Sequence, residues 1–216
     1  YVYKEYGFIT TNILRWFLFM FKIFEKDITK YSTIRTKATA KYFCTINDSN
    51  DLYEAIDFSQ KKKIKFKILG NGSNILFAKE YYDKLLFIKL GKKFNYFNIN
   101  NKYVEIGGSH SLIQAGRKLI SMGFKSFIFF NLIPANIGGA LRQNAGTGNG
   151  EEIKDVIDSC VLYDVYVNQT KEFQYDELEL SYRNSIIKKN PYRYVVLSAK
   201  FKLGNLTKDT KKLDAE

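Results

Sequence analysis

The sequence has 216 residues, which is enough to bury the core of one large domain or of two small ones. Hydrophobic residues make up 45% of it and charged residues 26%, and the presence of only two prolines argues against long disordered linkers. The formal net charge of +12 suggests an anionic partner, such as nucleic acid, a membrane surface or a phosphate-bearing small molecule. Scattered lysines of an AT-rich genome are the alternative explanation of the charge.

A nucleic-acid partner and a metal site are not expected from the rest of the sequence. No recognised nucleic-acid-binding motif accompanies the basic charge. The cysteines, Cys44 and Cys160, lie far apart without metal-ligand spacing, so we expect buried free thiols, no disulfide and no metal site.

The first residues are rich in large apolar side chains, especially over residues 7–24. Arg15 and Lys22 interrupt this stretch, so it falls short of the roughly 18 uninterrupted apolar residues of a membrane span. No small-residue cleavage site of a signal peptide follows it. We therefore expect residues 1–27 to form an apolar helical segment packed on the protein without stable membrane insertion. A membrane anchor is the alternative.

The patterns that follow predict a mixture of strands and helices without strict alternation, which favours an α+β fold. A division near residue 95 would separate one subdomain over residues 28–95 from a second over 96–205, with 206–216 as a tail or the start of a third domain. The predicted elements, in chain order, are strands over 41–46 and 64–69 around a helix over 52–60, strands over 85–90 and 103–106, a helix over 111–122, and strands over 156–167 and 194–203.

A glycine-rich turn follows the strand over 64–69 and contains Gly70, Asn71, Gly72, Ser73 and Asn74. Glycine permits positive φ and close approach of the backbone to a ligand. Successive N–H groups in such a turn form an anion-binding nest, for which a pyrophosphate is the natural occupant. A plain tight turn is the alternative, because the third glycine and the helix of a dinucleotide-fold fingerprint are missing.

A second glycine-rich stretch covers residues 132–150 and holds five of the fourteen glycines and one of the two prolines. Such density is typical of backbone held against a flat or phosphate-bearing ligand. Gly138 and Gly139 open a predicted short helix, whose N-terminal amides favour an anion. The alternative is a long flexible loop.

A third candidate is Arg183, in the stretch Ser181-Tyr182-Arg183-Asn184-Ser185. Its planar guanidinium suits a carboxylate or a phosphate. The alternative is a surface salt bridge.

These motifs resemble, in order and spacing, those of the UDP-N-acetylenolpyruvoylglucosamine reductase family. That family carries Leu-Gly-x-Gly-Ser-Asn, Ile-Pro-Gly-x-x-Gly-Gly-Ala, Asn-Ala-Gly-Ala-Tyr-Gly and Tyr-Arg-x-Ser. The matching stretches here are residues 69–74, 133–140, 144–150 and 182–185. Thr33 and residues 38–40 resemble the family's early flavin-binding segment, and the similarity spans residues 28–203.

The resemblance implies an α+β fold of two subdomains with FAD held non-covalently between them, as in flavoproteins of the vanillyl-alcohol-oxidase type. NADPH would be the hydride donor, and UDP-N-acetylenolpyruvoylglucosamine would be reduced to UDP-N-acetylmuramate for peptidoglycan synthesis in the cytoplasm, and hence for cell shape and division. Arg183 matches the catalytic arginine that polarises the substrate carboxylate, and Tyr182 would also contact the substrate. The implied cofactor-binding residues are Thr33, Gly70, Asn71, Gly72, Ser73, Asn74, Ile75, Ile133, Pro134, Ile137, Gly138, Gly139, Asn144, Ala145 and Gly146.

Several positions depart from the family pattern. The family's third domain, with a proton-donating serine and a later glutamate, has no counterpart before Glu216. Ser126-Phe127-Ile128 stands where the family has Gly-Leu-Glu, Ala135 replaces a glycine, and residues 147–150 differ from Ala-Tyr-Gly. FAD binding is therefore better supported than turnover. The alternatives are a non-catalytic flavin-binding remnant and another oxidoreductase of the same fold.

Overall fold

Each half of the chain contributes its own β-sheet. The structure is a computed structural model that describes residues 22–148 and 150–204. Within those residues, one sheet takes four strands from residues 24–90 and the other takes five strands from residues 97–202. The predicted division near residue 95 lies in the connection between the two sheets.

The first sheet is mostly parallel, with the order β1-β2-β4-β3. β4 runs parallel to β2 and β3, while β1 pairs antiparallel with β2. β2 and β3 run parallel on either side of β4, and helix α1 makes the crossover connection between them. The bounds are β1 Phe24–Asp27, β2 Thr39–Ile46, α1 Ser49–Lys61, β3 Lys65–Leu69 and β4 Tyr81–Leu90.

Helix α1 is positioned by its cap and by one apolar face. The Asp48 carboxylate accepts hydrogen bonds from the backbone N–H groups of Asn50 and Asp51, at 3.1 and 3.0 Å, which pairs two otherwise unsatisfied donors. Leu52 and Ile56 are one turn apart and buried in the same cluster as the sheet residues, so the helix covers that face of the sheet.

The second sheet is antiparallel throughout, with the order β5-β6-β9-β7-β8. Three helices of this half lie in the connections of the sheet, and α3 packs against β9. The bounds are β5 Phe97–Ile99, β6 Tyr103–Gly107, α2 Leu112–Ser121, α3 Ile137–Arg142, β7 Ile157–Asp164, β8 Gln169–Gln174, α4 Ile186–Lys189 and β9 Tyr194–Lys202. Short 3₁₀ helices cover Thr29–Tyr31, Lys92–Phe94, Lys125–Leu132, Ile153–Asp155 and Tyr175–Leu178.

Phenylalanines of the 3₁₀ helix Lys125–Leu132 fill the core of the second half. Phe127 and Phe130 are fully buried, and their ring centroids lie 5.1 Å apart in an edge-on arrangement. Phe130 meets Phe201 of β9 in the same way at 5.4 Å. Phe127, which lies in the stretch that departs from the family's Gly-Leu-Glu, is therefore part of the hydrophobic core.

The two sheets are joined by one shared hydrophobic cluster. Ile46 and Ile88 of the first sheet are buried together with Tyr163, Val195 and Leu197 of the second. Burial of this kind stabilises by about 25 cal/mol per Å² of apolar surface removed from water. The shared cluster also fixes the positions of the loops at the ends of both sheets relative to each other.

The structure changes part of the N-terminal expectation. Phe24–Asp27 was expected inside the helical segment but forms strand β1, because Phe24 pairs with Phe43 of β2 and its ring lies 5.7 Å from that ring. The rest of that expectation falls mainly on residues 1–21, which lie outside the described residues. Among residues 22–148 and 150–204, no helix is long and apolar enough to cross a membrane.

Two strands of the second sheet were not predicted. β5 has three residues, too few for a visible alternation. β8 is an edge strand in which only Phe173 is buried, so its sequence is almost entirely polar.

Candidate functional site

A cleft of about 600 Å³ opens between the two halves of the molecule. Its wall is built from the end of β3 and its following loop, from β4, from α3 and the segments that flank it, and from β9. The lining residues are Lys67 to Ile75, Lys89, Leu90, Gly108, Ser109, Ile133, Ala135, Asn136, Gly138 to Ala140, Arg142, Gln143, Ala145, Arg183, Ile187, Pro191 and Tyr194 to Val196.

The loop over residues 70–74 follows β3 and is held from behind by the segment that contains Thr33. The Gly72 carbonyl accepts hydrogen bonds from the Thr33 N–H at 3.1 Å and from Thr33 Oγ1 at 3.4 Å. Gly72 has φ +76°, and a Cβ there would lie 2.0 Å from the Tyr31 carbonyl oxygen, so glycine is required. Within the described residues, the N–H groups of Gly72, Ser73 and Asn74 donate to no protein acceptor. The loop therefore presents free amide donors beside the cleft.

Lys89 of β4 adds a positive charge to this wall of the cleft. Its Nζ donates to the Gly70 carbonyl at 3.4 Å and lies 5.2 Å from the centroid of the Tyr31 ring. Burial lowers the pKa of Lys89, since desolvation disfavours the ammonium form. The predicted strand over 85–90 contained this residue, but no sequence signal distinguished it from the other lysines.

Helix α3 forms the opposite wall, but two of its N-terminal amides are already paired. The Ile137 N–H donates to the His110 carbonyl and the Gly138 N–H donates to the Gly108 carbonyl, each at 3.0 Å. The Gly138 N–H is therefore bonded to protein, whereas the Gly139 N–H donates to no acceptor among the described residues, so anion binding at this helix end stays a prediction. Gly139 contributes space instead, since a Cβ built there would meet no heavy atom within 4 Å. The glycine leaves room in the cleft that no atom of the described residues fills.

Asn144 lies behind the cleft wall rather than in it. It is fully buried with φ +40°, and its Nδ2 donates to Glu152 Oε2 and to the Ser181 carbonyl, both at 2.9 Å. Its Oδ1 accepts from the Lys154 N–H at 2.9 Å. Every polar atom of the side-chain amide thus faces protein, which gives Asn144 a positioning role, and its expected contact with the cofactor stays a prediction.

Arg183 lies in the tight turn that Asn144 supports from below. Its Nη2 donates to the Gly146 carbonyl at 3.0 Å, and its backbone has φ +53°. The Ser181 N–H donates to the Asn184 carbonyl across the turn at 3.2 Å, which holds the arginine at the tip. Arg183 lines the cleft, whereas the side chain of Tyr182 is 76% exposed and does not line it.

The cleft has a one-sided charge. Its lining contains four cationic side chains and no carboxylate among the described residues. Burial lowers the pKa of the Arg142 guanidinium, because this charge is partly removed from water. The cationic lining residues are Lys67, Lys89, Arg142 and Arg183.

The structure brings together most of the expected site residues. Thr33, Pro134, Ile137, Asn144, Gly146 and Tyr182 do not line the cleft, while Gly70 to Ile75, Ile133, Gly138, Gly139, Ala145 and Arg183 do. Sequence reasoning missed Lys89, Arg142 and the β9 residues, because a strand or helix pattern shows which side chains are buried but not which cavity they face. His110 is also outside the lining, and its Nδ1 lies 2.6 Å from Asn95 Oδ1.

A protein-family model for an FAD binding domain matches residues 40–169. The matched residues make up more than half of the chain and include the loop over 70–74 and helix α3. The chain belongs to this FAD binding domain family. FAD is its cofactor, which confirms the cofactor that the family resemblance implied.

Relatives of this FAD binding domain carry the name that the motifs suggested. The chain is 35% identical over 170 residues to a UDP-N-acetylenolpyruvoylglucosamine reductase of Francisella tularensis. The aligned region covers 75% of this chain and 56% of the relative. The chain spans about half the length of the curated relatives it matches. The resemblance stated from the sequence motifs is therefore confirmed.

Solved structures show the same fold. A UDP-N-acetylenolpyruvylglucosamine reductase from Thermus caldophilus matches with TM-score 0.72 and 22% identity, over 87% of this chain and 64% of that one. A cholesterol oxidase from Brevibacterium sterolicum matches with TM-score 0.59 and 11% identity, over 85% of this chain and 38% of that one. The predicted α+β, two-subdomain fold of the vanillyl-alcohol-oxidase type is thus confirmed.

The network around Asn144 leads to a stability prediction. Asn144→Gly keeps the positive φ accessible but leaves Glu152 and the Lys154 N–H without their buried partner, so we expect a loss of about 2 to 4 kcal/mol of unfolding free energy. Urea unfolding followed by circular dichroism measures this loss. Lys63→Gly, at an exposed position with φ +54°, is the backbone control. Equal stability of the wild type and Asn144→Gly would contradict the positioning role.

Proposed function

We propose that the cleft binds FAD non-covalently, with the diphosphate on the loop over residues 70–74 and the flavin along α3. The free amides of this loop and the ammonium group of Lys89 supply donors and charge for a diphosphate. The open space at Gly139 and the apolar side chains of Ile133 and Ala145 suit a flat ring. The observation that carries this proposal is one cleft lined by glycine-bearing backbone from both halves of the molecule.

The reaction we propose is the NADPH-dependent reduction of UDP-N-acetylenolpyruvoylglucosamine to UDP-N-acetylmuramate, in the cytoplasm. The similarity to the reductase of Francisella tularensis supports this substrate. Bound FAD supplies the hydride-transfer chemistry. The protein supplies placement and charge: the cationic lining attracts phosphorylated substrates and the apolar wall excludes water from the ring.

Arg183 is the residue we assign to the reacting end of the substrate. Only one nitrogen of its guanidinium group is committed to protein in the described structure, through the bond from Nη2 to the Gly146 carbonyl. The remaining N–H groups are free to bind the enolpyruvyl carboxylate, so that charge building up in the transition state is stabilised. Its place at the tip of a turn tied to Ser181 and Asn184 fixes the direction of the side chain's stem.

A spectroscopic experiment tests the proposal. Purified protein, reconstituted with FAD, should show a bound-flavin spectrum that NADPH bleaches and UDP-N-acetylenolpyruvoylglucosamine restores under anaerobic conditions. Protein that cannot be reconstituted with FAD would reject the assignment of the cleft. Flavin that is bound but not reduced would leave a flavin-binding module, and reduced flavin that the UDP-sugar does not reoxidise would point to another substrate.

Gly139 provides a test of where the cofactor lies. Gly139→Leu places a branched side chain in space that no protein atom occupies, so we expect FAD affinity to fall about 100-fold or more, as for filling a ligand site with side-chain atoms. Fluorescence titration of the apoprotein with FAD measures the affinity. Gly139→Ala is the matched control and should bind within a few-fold of wild type, while unchanged affinity in Gly139→Leu would place the flavin elsewhere.

Arg183→Ala tests the proposed chemistry. We expect reoxidation of reduced flavin by the UDP-sugar to slow by a factor of about 100 or more, in line with the loss of one transition-state donor. The half-reaction with NADPH and the FAD content should change little, and stopped-flow absorbance separates the two steps. Lys189→Ala is the control, because it removes a nearby cation that pairs with Glu179 and does not line the cleft. An unchanged second half-reaction in Arg183→Ala would show the assignment to be wrong.

A further inference from the structure

Arg142 is a half-buried cation on the cleft wall, and no carboxylate of residues 22–148 and 150–204 serves as its counter-charge. It is the last residue of α3 and lies three and four residues after Gly139 and Gly138, so it shares their face of the helix toward the cleft. Among the described residues, no carboxylate forms an ion pair with its guanidinium. Its carbonyl is used by the fold, since it accepts a hydrogen bond from Ser185 Oγ at 2.8 Å. The backbone is therefore fixed while the side-chain charge is left for another partner.

Another partly buried arginine of the second half has a structural role, because it forms an ion pair within the protein. Arg193 lies against Asp164, to which its Nε and Nη2 donate at 3.0 and 2.8 Å. Arg142 has no such pair in the part of the chain that the structure describes, and the pKa of its guanidinium is lowered by desolvation. A partly desolvated charge without a partner costs free energy in the empty protein. Binding an anionic ligand group would offset that cost.

The position of Arg142 separates it from the diphosphate donors of the first half. The loop over residues 70–74 and Lys89 belong to the β3–β4 side of the cleft, whereas Arg142 and Arg183 belong to the α3 side. Ser185 links them, because its hydroxyl donates to the Arg142 carbonyl and it follows Arg183 by two residues. The cleft thus carries cations on both walls, and Arg142 lies on the same wall as Arg183, which is assigned to the substrate.

We propose that Arg142 binds the diphosphate of the nucleotide substrate that shares the cleft with FAD, leaving Arg183 for the substrate carboxylate. This inference rests on the proposed function, since it needs a nucleoside diphosphate as the second ligand. A guanidinium binds phosphate oxygens through two parallel N–H donors, which a lysine ammonium cannot reproduce. Arg142 is accordingly a specificity-determining residue for diphosphate-bearing substrates.

The test uses the FAD-loaded protein and UDP-N-acetylglucosamine, which carries the diphosphate but no carboxylate. Isothermal titration calorimetry of Arg142→Gln should show a dissociation constant raised about 10- to 100-fold, the effect of losing a charge-assisted contact. Arg142→Lys should recover only part of the loss. Lys189→Gln is the matched control: this cation pairs with Glu179 and does not line the cleft, so the variant should bind UDP-N-acetylglucosamine like wild type. FAD content by absorbance shows that each variant is folded and loaded.

The outcomes separate this inference from the proposed function. Equal binding of UDP-N-acetylglucosamine by wild type and by both Arg142 variants overturns the inference alone. A loss of FAD from the two Arg142 variants also overturns it, because the arginine would then belong to the cofactor. Wild-type protein that binds no UDP-sugar overturns the inference together with the proposed substrate.

Discussion

The cleft depends on the hydrophobic cluster that joins the two sheets. Ile46 and Ile88 pack against Val195 and Leu197, and this contact fixes how far apart the loops at the sheet ends must lie. The loop over residues 70–74 belongs to one sheet and helix α3 packs on the other. Neither wall could form a binding cleft alone, because each supplies only one side of it. The distance between the two walls of the cleft therefore depends on how closely the side chains of the shared cluster pack.

Behind the walls, buried polar contacts hold the segments whose sequences look least regular. The Thr33 N–H holds the Gly72 carbonyl, and Asn144 connects Glu152 with the Ser181 carbonyl. In both places the donor belongs to a residue that does not line the cleft, namely Thr33 or Asn144. Ser73 and Asn74, whose N–H groups donate to no acceptor among the described residues, line the cleft. The hydrogen bonds that hold the loop over residues 70–74 thus involve its Gly72 carbonyl and leave the N–H groups of Ser73 and Asn74 without an acceptor among the described residues.

The sequence predicted the fold class, the main strands and the two glycine-rich walls, because periodicity and glycine spacing are local signals. It did not predict how individual groups divide between protein and ligand. Asn144 belongs to the same motif as Ala145, yet only Ala145 lines the cleft. The amides of Ile137 and Gly138 open a helix as expected, but the carbonyls of His110 and Gly108 bind them. These choices depend on contacts with residues distant in sequence, which no local pattern records.

The overall charge of +12 also cannot show by itself whether the protein binds an anionic ligand. A lysine-rich composition explains scattered surface cations without any ligand, and such charges are strongly screened by salt. The cleft is different, because four cations line it, no carboxylate of the described residues does, and burial lowers the pKa of both Lys89 and Arg142. At about 4 Å and an effective dielectric constant of about 20, one such charge attracts a phosphate by about 4 kcal/mol. The local arrangement, and not the total charge, is what makes an anionic ligand the expected occupant.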